Sequence, residues 1–444
     1  MIDTRCQSYG EDLAKLIQIP TVSELVRVDR SILEQFHDQL RALFPCVFAN
    51  CDVENHDGSI LLRWRGQTDQ MPVLLMNHQD VVPAKGEWKY PPFSGRIVDG
   101  KIWGRGTLDT KAGLWAMLQA AQELMADGFI PDRDVWFFSS CTEETDGAHA
   151  DRISMDLQNR GIRFAMVLDE GGMILDEPIG GAKGSFAMVG LGEKGSANLR
   201  FIARSEGGHA STPGADTPLV RLGKFMAEVE KGKLFDIQIS PSLDRMYQVL
   251  ASGMEGPMGF VLGHPRLFKP ILKKMIPSVS DAAAAMLRTT IAFTMAQGSE
   301  GANVLPQEAW VIGNMRYSHH QGAEASIAAV RELAKKYGIE TEVLNAGFPS
   351  PMTDHHSAGF RLVEQAVCHT FPNVIPCPYL MMAASDCRFM SRVSDCCLRF
   401  APFKISQEQM KSVHALDENL DLDTLAPAVD FYKYLICNVD FIQR

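Results

Sequence analysis

Three apolar runs in the first 170 residues each break off in imidazole or carboxylate groups. Residues 73–76 (VLLM) run into Asn77, His78, Gln79 and Asp80; residues 134–139 (DVWFFS) into Glu143 and Glu144; residues 164–168 (FAMVL) into Asp169 and Glu170. Helical spacing of apolar residues separates them, over 114–126 and 151–160. Short apolar runs that do not alternate, divided by helices, read as strands buried on both faces of a parallel sheet. The carboxyl ends of such strands are where α/β sheets assemble their sites. The fold class is therefore α/β, with a mainly parallel sheet whose carboxyl edge is rich in metal-ligating groups.

The rest of the chain divides around this unit. Helices are expected over 10–18 and 31–44, and strands over 47–53 and 59–64. From residue 194 the texture changes. Alternating strands at 196–203, 289–296, 309–317 and 340–344 combine with amphipathic helices at 216–229 and 322–337 into a smaller α+β unit with one open sheet face. Residues 233–286 have helical pieces without clear periodicity and read as an insertion. Helix-and-strand alternation resumes at 351. The expected organisation is a catalytic domain in two segments, 1–193 and 351–444, interrupted by a lid or dimerisation domain at 194–350.

Bulk properties narrow the function by exclusion. The formal net charge is −11, spread along the chain, which argues against nucleic acid or an anionic membrane as partner. No apolar run approaches the roughly 20 residues of a membrane span, and the first residues lack a signal-peptide pattern. Ten cysteines without CxxC pairing are expected as reduced thiols in a cytoplasmic protein, with Cys396 and Cys397 structural. The pairs His319-His320 and His355-His356 lack the strand-end setting and read as surface.

His78 and Asp80 stand two apart at the end of a strand and so point the same way. Asp109 follows on the glycine-rich turn GRGTLDTKAG, just before a helix, and His414 lies far downstream in SVHALDENL. Mixed imidazole and carboxylate donors suit zinc, or manganese or cobalt in the same geometry. The set is too large for one tetrahedral ion. It fits two ions sharing a carboxylate, for which Asp109 is the natural bridge.

The segments HQDVVP, GRGTLDTKAG, TEETDG, LDEGG and HALDEN resemble, in order and spacing, the co-catalytic zinc metallopeptidases that include aminoacylase and glutamate carboxypeptidase. GRGTLD, LDEGGMILDEP, EKGSANL, PRLFKP and RTTIAFT most resemble the Gly-Xaa carboxypeptidase (carboxypeptidase S) type and the related N-fatty-acyl-amino-acid hydrolases. The resemblance implies that His78, Asp109 and Glu170 hold one zinc and Asp109, Glu144 and His414 the other. At the third position Asp169 and Glu170 are both candidates, and the aminoacylase-like members favour Glu170. Asp80 would orient His78, and Glu143 would be the general base. His209 in GGHASTPG would stabilise the oxyanion, often across a dimer interface. Asn303, Arg316 and Arg388 would hold the substrate.

The implied activity is hydrolysis of an amide next to a free carboxylate, in a dipeptide or an N-acyl amino acid, by an enzyme that could pair through its lid as a homodimer. Two alternatives accompany it: reversible hydrolysis and synthesis of N-fatty-acyl amino acids, and a non-catalytic relative that keeps the fold for binding.

Overall fold

The structure is a computed structural model and describes residues 4–279, 281–347 and 349–443. Its larger sheet runs in the order Cys51–His56, Ser59–Trp64, Arg133–Ser140, Thr68–His78, Met166–Asp169, Cys397–Arg399, Ser185–Glu193, Ile174–Asp176, Lys404–Ile405, with Val374–Met381 branching from Ser185–Glu193. The centre is parallel. Thr68–His78 lies between Arg133–Ser140 and Met166–Asp169, with His78 beside Ser140 and Leu75 beside Leu168. The apolar runs at 73–76, 134–139 and 164–168 thus lie on adjacent strands pointing the same way, and their polar ends share one edge.

Helices cover the sheet because its centre is apolar on both faces. Lys111–Ala126 is buried along most of its length and packs with Leu425–Cys437, Ala358–Thr370 and Arg5–Ile17 into the main core. Trp115, Val73, Leu75 and Phe431 in that core are essentially inaccessible. The opposite face carries a second layer in which Leu74, Met76 and Trp136 meet Ile153 and Leu157.

Two features differ from what local pattern predicts. The strand expected at 47–53 begins only at Cys51; residues Pro45–Asn50 form a short helix. Proline suits the first helical turn, where its missing N–H is not needed, and Val47 is buried against the core. Val374–Met381 (VIPCPYLM) contains two prolines that argue against a strand, yet it pairs parallel with Ser185–Glu193. Among the described residues it has that one partner, so the prolines sit on an edge, where a missing donor is tolerated.

The second sheet is antiparallel, in the order Thr290–Gln297, Glu308–Tyr317, Gly195–Arg204, Glu340–Ala346. Helices Pro218–Glu230 and Gly322–Lys336 cover one face through Leu222, Phe225 and Val330. Within 233–286, Phe235 packs on this sheet, whereas the helices Pro241–Ala251, Gly256–Gly263 and Pro265–Val279 bury their apolar sides elsewhere. Leu243, Met246, Tyr247, Leu262, Leu272 and Ile276 pack with Phe186, Met188, Cys377 and Leu380 of the larger sheet's outer strands. Glu193, Lys194 and Gly195 carry the chain from one sheet directly into the other.

Candidate metal centre

His78 ends its strand with a buried ring. Its Nε2 lies 3.1 Å from Asp109 Oδ1 and 4.0 Å from Glu143 Oε2. Its Nδ1 is 2.9 Å from the Asp80 carbonyl oxygen and 3.6 Å from the Asp80 carboxylate. The carbonyl is therefore the nearer partner that fixes the ring. The Asp80 carboxylate is occupied elsewhere: it accepts the Glu143 N–H at 3.3 Å, the Glu144 N–H at 3.1 Å and the Ser23 hydroxyl at 3.0 Å. Asp80 thus fastens the Glu143–Glu144 turn to the end of the His78 strand.

Asp109 uses its two oxygens on two histidines. Oδ1 faces His78, and Oδ2 lies 2.9 Å from His414 Nε2. His414 Nε2 is also 3.0 Å from Glu144 Oε2, and the other Glu144 oxygen is buried with no hydrogen-bond partner among the described residues. Donor atoms of His78, Asp109 and Glu144 fall within 4.8 Å of one another. His414 reaches this group with φ of 60°, a left-handed backbone that few non-glycine residues adopt.

At the third expected position two neighbouring acids have different duties. The Asp169 carboxylate accepts the Glu170 N–H at 2.9 Å and the Cys387 N–H at 2.9 Å. The Glu170 side chain makes no hydrogen bond or ion pair among the described residues, while the charges of Asp109, Asp169 and Glu144 bear on it. Asp169 thus carries two backbone N–H groups, whereas the Glu170 side chain carries none among the described residues.

Electrostatics set the chemistry. Burial pushes Glu143 and Glu170 well above the usual carboxylate range. Burial alone would lower His78, yet its bonds to Asp109 and Asp80 raise it. Asp109 is held low despite burial by His414 and His78. His414 is raised to about 10 by Asp109 and Glu144. Several buried carboxylates facing two imidazoles form an electronegative cup, and burying uncompensated charge costs several kcal/mol per ion. A divalent cation with mixed nitrogen and oxygen preference fits this donor set.

Sequence reasoning did not find Glu418, a residue of HALDEN. It is fully buried, and its Oε1 accepts the N–H groups of Gly106, Leu108 and Asp109 at 3.1, 2.7 and 3.1 Å. Its Oε2 meets Arg105 at 2.5 Å. Glu418 therefore shapes the turn that presents Asp109. The only local signal was an acid four residues beyond His414.

The remaining candidates lie on the second sheet and at its border. His209 is exposed, 2.7 Å from Ser211 Oγ, and has no contact with the carboxylate cup among the described residues. It does neighbour Asn303: Gly208–His209 pairs with Val304–Leu305, and Ala210 N–H donates to Asn303 O at 2.9 Å. Arg316 is half-buried; burial, then the charge of Arg388, lowers it, so the two guanidiniums face one region. Asp354, His355 and His356 also offer donors within 4.8 Å of one another, but these are sequence neighbours of which only His355 is even half-buried, as the surface reading expects. Cys396 and Cys397 are free buried thiols.

Residues 74–438 match the family described as Peptidase family M20/M25/M40. The chain belongs to that family. The N-fatty-acyl-amino acid synthase/hydrolase of Homo sapiens is 32% identical over 443 residues, covering 98% of this chain and 88% of the relative. Carboxypeptidase S of Saccharomyces cerevisiae is 26% identical, covering 96% and 83%. Among solved structures, an M20 family metallo-carboxypeptidase of Sulfolobus solfataricus has a TM-score of 0.69 at 18% identity, covering 96% of this chain and 97% of that one. The M20 family is metal-dependent, and the grouped donors of His78, Asp109 and Glu144 could hold an ion. The two-sheet arrangement is the M20 fold.

Proposed function

We propose that this M20 chain hydrolyses the amide bond next to a free carboxylate in dipeptides or N-acyl amino acids, using two zinc ions. The observation that carries this reading is Asp109, whose two oxygens face two separate histidines at 3.1 and 2.9 Å. His78, Asp109 and Glu170 would hold one ion and Asp109, Glu144 and His414 the other, with manganese or cobalt able to replace zinc. Metal ions held there would supply the Lewis acidity that activates a water and polarises the scissile carbonyl.

The chain's own groups do the rest. Glu143, raised by burial and fixed through its backbone by Asp80, takes a proton from the attacking water and returns it to the leaving amine. Arg316 and Arg388, two cations that disfavour each other, receive the substrate carboxylate; a guanidinium binds both oxygens through its planar fork. His209, with Asn303 beside it, serves the oxyanion from the lid. Its exposure in the single chain supports contribution across a lid-to-lid homodimer. Residues 194–350 act as this lid, between catalytic segments 1–193 and 351–444. Among the described residues no helix is long and apolar enough to cross a membrane; the buried thiols of Cys396 and Cys397, outside any disulfide, support a cytoplasmic setting.

The second reading, reversible N-fatty-acyl-amino-acid hydrolysis and synthesis, is favoured by the human relative's activity. Hydrolysis of a panel of dipeptides and N-acyl amino acids, with zinc, manganese or cobalt restored after chelation, separates the two. Glu143→Ala should keep its metal and lose turnover; a variant that retains most activity would refute the mechanism.

A further inference from the structure

The helices Gly256–Gly263 and Pro265–Val279 take no part in the hydrolytic reading. Their inner sides are accounted for by Leu262, Leu272 and Ile276, which are buried in the core with Met246 and Tyr247. Their outer sides carry large apolar groups: Phe260 is 58% exposed, Leu267 71%, Ile271 53% and Met258 39%. The Phe260 ring lies 5.7 Å from that of Phe268, which ties the first helix to the second between Leu267 and Ile271. Helical geometry breaks at Phe268 (φ −100°, ψ 16°), two residues before Pro270, as a proline inside a helix requires. Isolated exposed apolar residues are ordinary; four on one short helical pair mark an interaction surface.

The charge of the same stretch selects the partner. Residues 256–279 contain Arg266, Lys269, Lys273 and Lys274 and no acid, in a chain of net charge −11. Asp244 engages Arg266 at 3.2 Å, whereas the three lysines make no salt bridge among the described residues. A complementary partner presents negative charge over an apolar layer. An anionic bilayer has that composition: apolar side chains enter the headgroup boundary while lysines meet the phosphates.

We propose that this helical pair is an interfacial docking surface for anionic membranes, with Phe260, Leu267 and Ile271 entering the bilayer and Lys269, Lys273 and Lys274 on its phosphates. Net charge alone predicts no such partner. At physiological salt, however, charges act over about 8 Å, so a bilayer against this surface responds to the lysines rather than to acids elsewhere. The inference does not depend on the hydrolytic reading.

The test is co-sedimentation of the full chain with phosphatidylcholine vesicles, with and without phosphatidylserine, at low and physiological salt. The wild type should bind the phosphatidylserine vesicles and bind less as salt rises. Leu267→Glu with Ile271→Glu should abolish binding at an unchanged thermal midpoint, since both sites are exposed. Each of Lys269→Ala and Lys274→Ala should weaken partitioning by about fivefold. Failure of the wild type to bind, or wild-type binding by the double variant, overturns the proposal. So does a wild-type dimer that the double variant dissolves without any vesicle binding, because a second copy would then cover the patch.

Discussion

Replacing Glu418 by Gln tests how the Asp109 turn is held. One carboxylate accepts three backbone N–H groups on Oε1 and pairs with Arg105 on Oε2. Both side chains are almost wholly inaccessible, at 0% and 2%. Glutamine has a single acceptor oxygen, so its amide N–H₂ must face either Arg105 or the three turn amides. In either orientation the neutral amide deprives the buried guanidinium of its counter-charge, which costs about 3–5 kcal/mol, and with the amide facing Arg105 two N–H donors also oppose each other. If it faces the turn, the turn's N–H groups are additionally left unsatisfied at about 1–3 kcal/mol each. Either outcome is a large share of the roughly 5–15 kcal/mol that holds a typical domain. Urea unfolding followed by tryptophan fluorescence should show Glu418→Gln destabilised by about 3–5 kcal/mol, and metal analysis should show weaker retention because Asp109 is no longer fixed. Arg105→Met combined with Glu418→Gln should recover part of the stability by removing the stranded charge, without restoring metal affinity. A Glu418→Gln protein with wild-type unfolding and wild-type metal content would refute the reasoning.

Three further outcomes follow from the same geometry. Asp109→Ala should lose both ions, while His78→Ala should retain one; equal metal contents by mass spectrometry would count against a bridging Asp109. Asp80→Asn removes an acceptor needed by the Glu143 and Glu144 amides, so metal affinity or kcat should fall by about 10–100-fold, and a variant with both unchanged would exclude the fastening role. Burial, then Arg316 and Arg288, holds Lys194 down at about 7, against about 10.4 in an unfolded chain. The folded state then binds fewer protons than the unfolded between these values, so this residue makes stability rise with pH across that window. Lys194→Met should remove the rise, and parallel stability–pH curves for the two proteins would contradict it.

What the sequence determined by itself was the chemistry at the strand ends. Apolar runs such as VLLM and FAMVL encode burial on both faces, and burial makes the following His78, Asp80, Glu143, Glu144, Asp169 and Glu170 the first polar groups at the sheet edge. The mixed donor set, with His414 and a shared Asp109, pointed to two ions, and family resemblance distributed the ligands between them. Patterns of this kind specify direction along one strand and carry no information about what lies across from it. The duties of the acids were therefore decided only by tertiary structure: Asp80 on two backbone amides, Asp169 on two others, Glu418 on the turn carrying Asp109. Arg105 and Glu418 are 313 residues apart in the chain, and no local period records that they meet. The proline-bearing strand Val374–Met381 and the helices at 256–279 follow the same rule. Prolines are tolerable because that strand has one neighbour, and an outward Phe260 or Leu267 is visible only once the core has taken Leu262 and Leu272. Sequence fixes which groups must be paired or buried; the sheet order fixes which partners satisfy them, because desolvated charges and amides must find their complements within hydrogen-bond reach.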